Sequence, residues 1–349
     1  MADAAGGPLA FSKSSIAGLF DRFRPLSRRA AMSSRWGLPA ILVGALFIRV
    51  VCFSGMTAYD EFAYVHIAWN MVTGAFDPAA VDDYFGLRYP LLVPVAALFA
   101  VFGVAPMTAS LVPLGASLGN VSVAHTLGRT LGAPGVGLLA ALLHAVFPLS
   151  VVYGTILYPD ELIGLFSGLA VLFFLRAETA HDRAMRWRAL ASGGVLGLAA
   201  WLRPTALALA LLLAIIALVR RRFAALIWTG VGVALVLGLD AAVNFLLVGY
   251  GLHAWRVSFA RVAADAQSFS QDMRVYPLAM LGWTPYGLAA FGLFFAATAC
   301  AVVLAAVRGA LKRVWVPLLW LAILFGFFQF ASSSLVEYRP LHRQFRFLS

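Results

Sequence analysis

Long apolar runs parted by short basic turns set the pattern of this chain. Nine of these runs read as membrane spans, at roughly 38–56, 107–127, 134–153, 161–175, 189–202, 204–219, 223–248, 283–307 and 314–331. Several are shorter than the about 20 apolar residues that a helix needs to cross a bilayer. The pair 189–202 and 204–219 is split only by Arg203-Pro204. A further apolar stretch, 89–104, is interrupted by Pro90 and Pro94 and stopped by Gly103. Stretches of that kind more often lie at the interface or re-enter it than cross. A short helix is predicted over 60–73, where Tyr64 and Trp69 suit the lipid–water boundary. The pattern therefore predicts an all-α, polytopic membrane bundle: about nine transmembrane helices, with juxtamembrane helices in the first outer loop.

Charge decides which way the bundle faces. Counting 89–104 as a span would flip everything after it. Downstream, eleven basic residues share one side: Arg129, Arg176, Arg183, Arg186, Arg188, Arg220, Arg221, Arg222, Arg308, Lys312 and Arg313. Seven share the other: Arg203, Arg256, Arg261, Arg274, Arg339, Arg343 and Arg346. If 89–104 does not cross, the eleven join the basic N-terminal tail, 1–36, in the cytoplasm, as the positive-inside tendency favours. The membrane domain then runs over 37–349, with outer loops 57–106 and 249–282. Most of the acids, among them Asp60, Glu61, Asp160 and Glu161, fall on the extracytoplasmic face with the seven arginines and Arg88.

Composition agrees. The 349 residues are 62% hydrophobic and only 12% charged, which excludes an ordinary soluble domain. The net charge of +11 is explained by orientation in the membrane, so no nucleic-acid partner is called for. Cys52 and Cys300 both sit in apolar runs and make no disulfide framework. No short apolar core with a small-residue cleavage site precedes 38–56, so that run reads as a retained anchor.

The chemistry-bearing residues gather on the outer face. Asp60-Glu61 follows the first span, and Tyr158-Pro159-Asp160-Glu161 opens the fourth. Both acidic pairs also suit a plain helix start, by capping and by the helix dipole. Arg88, Arg203, Arg256, Arg261, His342 and Arg343 could clamp a phosphate, Arg by its bidentate fork, or simply anchor at headgroup level or in solvent. Arg49 and Asp240 lie within spans, where burying either alone costs about 3 kcal/mol. An ion pair between spans one and seven is expected from them. No nucleotide-binding glycine loop, HExxH motif or Cys/His cluster occurs, and His66, His125, His144 and His181 have no ligand spacing. The cation role left open is a labile divalent ion, Mg or Mn, held by outer acids.

These features in order resemble the GT-C glycosyltransferase superfamily. The chain looks closest to the bacterial branch related to dolichyl-phosphate-mannose protein mannosyltransferases (glycosyltransferase family 39) and the lipid A aminoarabinose transferase. The resemblance is carried by Asp60-Glu61, Arg88-Tyr89-Pro90 with Phe102-Gly103, Pro148…Tyr153…Pro159-Asp160, Leu202-Arg203-Pro204-Thr205 and His342-Arg343-Gln344-Phe345-Arg346-Phe347. It implies Asp60 as the catalytic base with Glu61 in support, and Asp160 near the acceptor or an ion. It also implies transfer, with inversion, from a polyprenyl-phosphate sugar to a lipid, glycan or protein acceptor outside a bacterial inner membrane, where it would build cell-envelope glycan. Members usually continue well beyond this point, so a chain halting at Ser349 within the late arginine motif is expected to be truncated or inactive. The rival reading is a multispan transporter or flippase for a lipid-linked or anionic substrate. Matching inverted halves with broken helices, which that class often has, are not apparent.

Overall fold

The computed structural model describes residues 34–53, 55–56, 59–81, 84–132, 134–268 and 285–330, and among them every regular element is a helix. In chain order these are α1 (Ser34–Val51), α2 (Tyr59–Thr73), α3 (Tyr89–Phe102), α4 (Pro106–Leu131), α5 (Pro134–Val146), α6 (Pro148–Tyr153), α7 (Asp160–Glu178) and α8 (Asp182–Leu202). They continue with α9 (Ala208–Arg220), α10 (Phe223–Val248), α11 (His253–Ser268), α12 (Pro285–Phe291), α13 (Phe294–Val307) and α14 (Leu311–Phe330). Short 3-10 turns cover Pro78–Ala80, Phe85–Leu87 and Pro204–Leu207.

By length and composition, two helices among the described residues can cross a bilayer, α4 and α10. Shorter apolar helices accompany them at Trp36–Val51, Tyr89–Phe102, Pro134–Val146, Pro204–Arg220, Phe294–Val307 and Val314–Phe328. Length thus supports two of the nine expected spans. In α10 only 17% of the most apolar window is buried, so its apolar side chains face outward, as contact with lipid requires.

Several expected runs are broken. The run 134–153 divides at Phe147-Pro148, because proline at the first position of α6 starts a new helix. The run 283–307 divides at Gly292, whose φ of +56° glycine adopts without a Cβ clash. Conversely, α8 begins at Asp182, seven residues before the apolar run.

Side-chain contacts sort the helix ends into two poles. At one, Arg203 after α8 meets Asp160 at the start of α7, and Ser110 in the second turn of α4 donates to the Thr155 carbonyl at 2.7 Å. At the other, Arg188 near the start of α8 donates to the Arg176 carbonyl at 3.0 Å, and Arg220 at the end of α9 pairs with Glu178 at 2.7 Å. The first is called here the site pole and the second the basic pole. Helix α3 begins at the site pole, where Tyr89 packs edge-on against Trp201 with ring centroids 6.2 Å apart. Its C-cap, Gly103, lies three residues before α4, which itself starts at the site pole. Both ends of α3 therefore lie at one pole, and the helix packs on α2, α4 and α8 through Leu91, Leu92, Val95 and Phe99.

Candidate functional site

Local sequence fixes the first pair of charges. Pro159 is the N-cap of α7, so Asp160 and Glu161 occupy its first turn, where carboxylates favour the positive helix end. At the other side, Pro204 ends α8: the residue before proline is driven from the helical region, and Arg203 sits extended at φ −155°, ψ 114°. The turn brings Arg203 Nη1 to 3.1 Å from Asp160 Oδ1, with both side chains largely buried. Asp160 Oδ2 accepts no hydrogen bond among the described residues.

A cavity of about 290 Å³ opens beside this pair, between α4, α5, α7, the start of α9 and α14. Its polar end holds Asp160, Glu161, Arg203, Asn120, His144 and Ser150. Its other walls are mostly apolar, with Val123, Leu127, Ile163, Leu209, Trp320, Leu324 and Phe328 beside the hydroxyls of Ser167 and Thr205.

A buried network underlies the polar end. Glu161 Oε2 accepts from Asn120 Nδ2 at 2.7 Å, and the same nitrogen donates to the Glu161 carbonyl at 2.9 Å. Arg49, fully buried, donates to Ser117 Oγ (2.8 Å), Ser150 Oγ (3.0 Å) and the carbonyls of Ala145 (3.0 Å) and Ala45 (3.2 Å). Ser150 Oγ lies 3.2 Å from His144 Nε2. The carboxylate whose field Arg49 feels is Glu161.

The expected Arg49–Asp240 ion pair is therefore not formed. Arg49 is taken up by hydroxyls and carbonyls of α1, α4, α5 and α6, whereas Asp240, buried on α10, accepts from Asn244 Nδ2 at 2.7 Å. Two intramembrane charges of opposite sign need not meet. Each is satisfied by whichever polar groups its own helix neighbours offer.

The α2 corner adjoins the cavity without lining it. Asp60 and Glu61 open α2, with Glu61 buried and Asp60 half-buried. One turn on, the Tyr64 hydroxyl is hydrogen-bonded to Arg88 Nη1. Arg88 is held over the Tyr84 ring at 4.4 Å, with the Tyr64 and Phe85 rings at 5.8 and 5.9 Å. Burial raises the Tyr64 phenol above its usual range, against the opposing fields of Arg88 and Arg203. Tyr64 shares one apolar cluster with Leu157, Leu162 and Leu202, which puts the α2 corner next to the Asp160–Arg203 pair. Tyr89 is pushed up to about 12, by burial first and by Asp240 second.

Of the remaining candidates, Arg256 lies 5.2 Å from the Tyr250 ring on α11, outside the cavity lining. The side chain of Arg261, and His342 and Arg343, lie outside the described residues. Among the described residues no group of three or more His, Cys, Asp or Glu side chains is disposed to hold a metal ion, so no step is assigned to one. Sequence reasoning missed Asn120, Ser117, Ser150 and the cavity role of His144. Ser117 and Asn120 lie three residues apart and so share one face of α4, but that helix carries other hydroxyls as well, so their spacing alone did not single them out.

Residues 92–243 match the family model for dolichyl-phosphate-mannose-protein mannosyltransferase. The matched segment takes in Asp160, Glu161 and Arg203 with most of the cavity, and begins after Asp60, Glu61 and Arg88. The match bears out the resemblance to GT-C, family-39-like glycosyltransferases and supports a membrane glycosyltransferase of that kind. No curated protein and no solved structure matches the chain.

Proposed function

We propose, on the premise of similarity to the dolichyl-phosphate-mannose-protein mannosyltransferase family, that this chain transfers a sugar from a polyprenyl-phosphate donor to a lipid, glycan or protein hydroxyl on the extracytoplasmic face. The observation that carries this reading is the cavity, most of whose lining falls in the matched segment. One end offers a guanidinium and carboxylates and the rest is mostly apolar, a shape that suits a phosphate head followed by a prenyl chain.

In the proposed reaction the acceptor oxygen attacks the anomeric carbon from the face opposite the donor phosphate. Its proton passes to the Asp60 carboxylate, the bond from the anomeric carbon to the phosphate oxygen breaks, and the configuration inverts. Negative charge grows on the departing polyprenyl phosphate, and Arg203 and Arg88 are the cations positioned near the site to stabilise it. Asp160 holds Arg203 in place through the 3.1 Å contact, and Glu61 supports Asp60 at the start of α2. The donor reaches the cavity sideways from the bilayer.

The test is release of radiolabelled sugar from a polyprenyl-phosphate donor in membranes holding the full chain. Asp60→Asn is expected to remove transfer, by a factor on the order of 10² or more, while membrane insertion is kept. Undiminished turnover in Asp60→Asn would reject the base assignment. Donor moved across the membrane without release of sugar would favour the transporter reading instead.

A further inference from the structure

The basic pole carries a second pocket that the transfer reaction does not use. Where α8 and α10 meet there, a groove of about 590 Å³ is lined by Asp182, Arg183, Arg186, Trp187, Leu190 and Trp228. We propose that this groove binds the phosphate headgroup of an anionic phospholipid, whose acyl chains run along the outer face of α10.

Three observations point to a lipid. First, Arg183 and Arg186 are exposed on one side of the groove, and neither forms an ion pair among the described residues. The other cations nearby are partly engaged: Arg188 donates to the Arg176 carbonyl and Arg220 pairs with Glu178. Asp182 is the one acid in the lining, so the two arginines leave the groove net positive.

Second, the aromatic side chains are those that favour the headgroup level. Trp187 is 61% exposed, far too open for a core residue, and Arg186 sits 5.7 Å from the Trp228 ring. That stacking holds one guanidinium at the groove edge with its donors available for phosphate oxygens.

Third, the groove continues into an apolar track. Beside Trp228, the exposed residues Ile227, Val231, Leu235 and Leu239 follow one another at four-residue spacing along α10. Such a stripe fits an acyl chain lying against the helix, beneath a head held by the arginines. A soluble phosphate would use the arginines alone and leave the stripe and Trp187 without a role. Basic clefts between membrane helices commonly take anionic headgroups in this way.

The test is retention of lipid by the purified full chain after exchange from nanodiscs made of equal parts phosphatidylcholine and phosphatidylglycerol, read by native mass spectrometry. Phosphatidylglycerol is expected to be retained preferentially. Arg183→Gln/Arg186→Gln should weaken its binding about thirty-fold, or about 2 kcal/mol, at about 1 kcal/mol for each basic residue and about 1.4 kcal/mol per factor of ten. Arg183→Lys/Arg186→Lys should keep most of it, which separates charge from folding. Arg221→Gln/Arg222→Gln removes as much charge from the same pole outside the groove and should leave retention nearly unchanged. Equal retention of phosphatidylcholine, equal loss in the Arg221/Arg222 variant, or displacement of the lipid by inorganic phosphate would each overturn the proposal. None of these readings depends on transferase activity.

Discussion

Arg49 is a full positive charge with no exposed surface, held in the middle of four helices by neutral partners. Two hydroxyls and two carbonyls satisfy its donors, and Glu161 is the carboxyl that faces it across Ser117 and Ser150. Such an arrangement is coupled: removing one charge leaves the other buried and uncompensated, whereas removing both leaves only hydroxyls and an amide that can bond among themselves. Ser117 Oγ and Ser150 Oγ already lie 3.2 Å apart, so they keep a partner when Arg49 is gone. Arg49→Met should therefore lower stability in detergent by about 3–5 kcal/mol, and Glu161→Gln by less, because Asn120 can still bond to the amide. The double variant should cost clearly less than the sum of the two, as measured by thermal unfolding. Strict additivity would show that Glu161 does not balance Arg49. This network also marks the limit of what the sequence discloses at the residue scale. Asp160 and Arg203 stand out as charges in an apolar chain, but their pairing does not, since 43 residues separate them. Asn120 and Ser150 are less conspicuous still, because one amide or hydroxyl in an apolar helix has no spacing that distinguishes a partner of Glu161 from an isolated side chain.

At the scale of elements, α8 and α10 are held together by missing side chains. A Cβ on Gly193 would sit 1.9 Å from the Thr229 carbonyl oxygen, and one on Gly232 would sit 2.3 Å from the Leu190 carbonyl oxygen. Both obstacles are backbone, so neither can swing aside, and the two helix axes approach as closely as they do only because both positions are glycine. Small residues at such seams are how helices gain packing energy where lipid supplies no hydrophobic drive. Gly193→Ala should then separate the helices and destabilise the fold by about 2–3 kcal/mol. Gly194→Ala, the next residue, meets nothing within 4 Å and should be neutral or stabilise by up to about 1 kcal/mol through helix propensity. Equal thermal shifts in the two variants would dismiss the seam. Hydropathy makes the body of α10 legible, since the run 223–248 and the helix Phe223–Val248 coincide. It does not make the start of α8 legible, because residues 182–188 form a polar, mostly exposed extension of the helix that an apolar window cannot see. Nor does it reveal which glycines face which, which is a property of two helices and not of one.

Over the whole molecule the two poles differ in chemistry as well as in position. The Asp160–Arg203 pair, the polar end of the cavity and both ends of α3 gather at one, while Arg129, Arg183, Arg186, Arg221 and Arg222 crowd toward the other. Charge counting along the sequence separates these downstream charges in the same way in either case, but it puts Asp60 and Glu61 with the Asp160–Arg203 pair only if 89–104 does not cross, and the return of α3 to the pole where it started is the geometry that reading requires. Which pole faces the cytoplasm follows from the positive-inside tendency, which would place the basic pole inside. In a variant lacking Cys52 and Cys300, single cysteines at Ala80 and Met107 bracket α3, and cysteines at Val136 and Arg221 mark the basic pole. With intact bacterial cells whose outer barrier has been removed, a membrane-impermeant maleimide should label the first two positions directly and the second two only after permeabilisation. Labelling of Ala80 and Met107 from opposite sides would make α3 a crossing helix and reverse everything after it. Labelling of Arg221 from outside together with Ala80 from inside would keep the fold but invert it, and would put Asp60 and Asp160 beyond reach of an extracytoplasmic sugar donor.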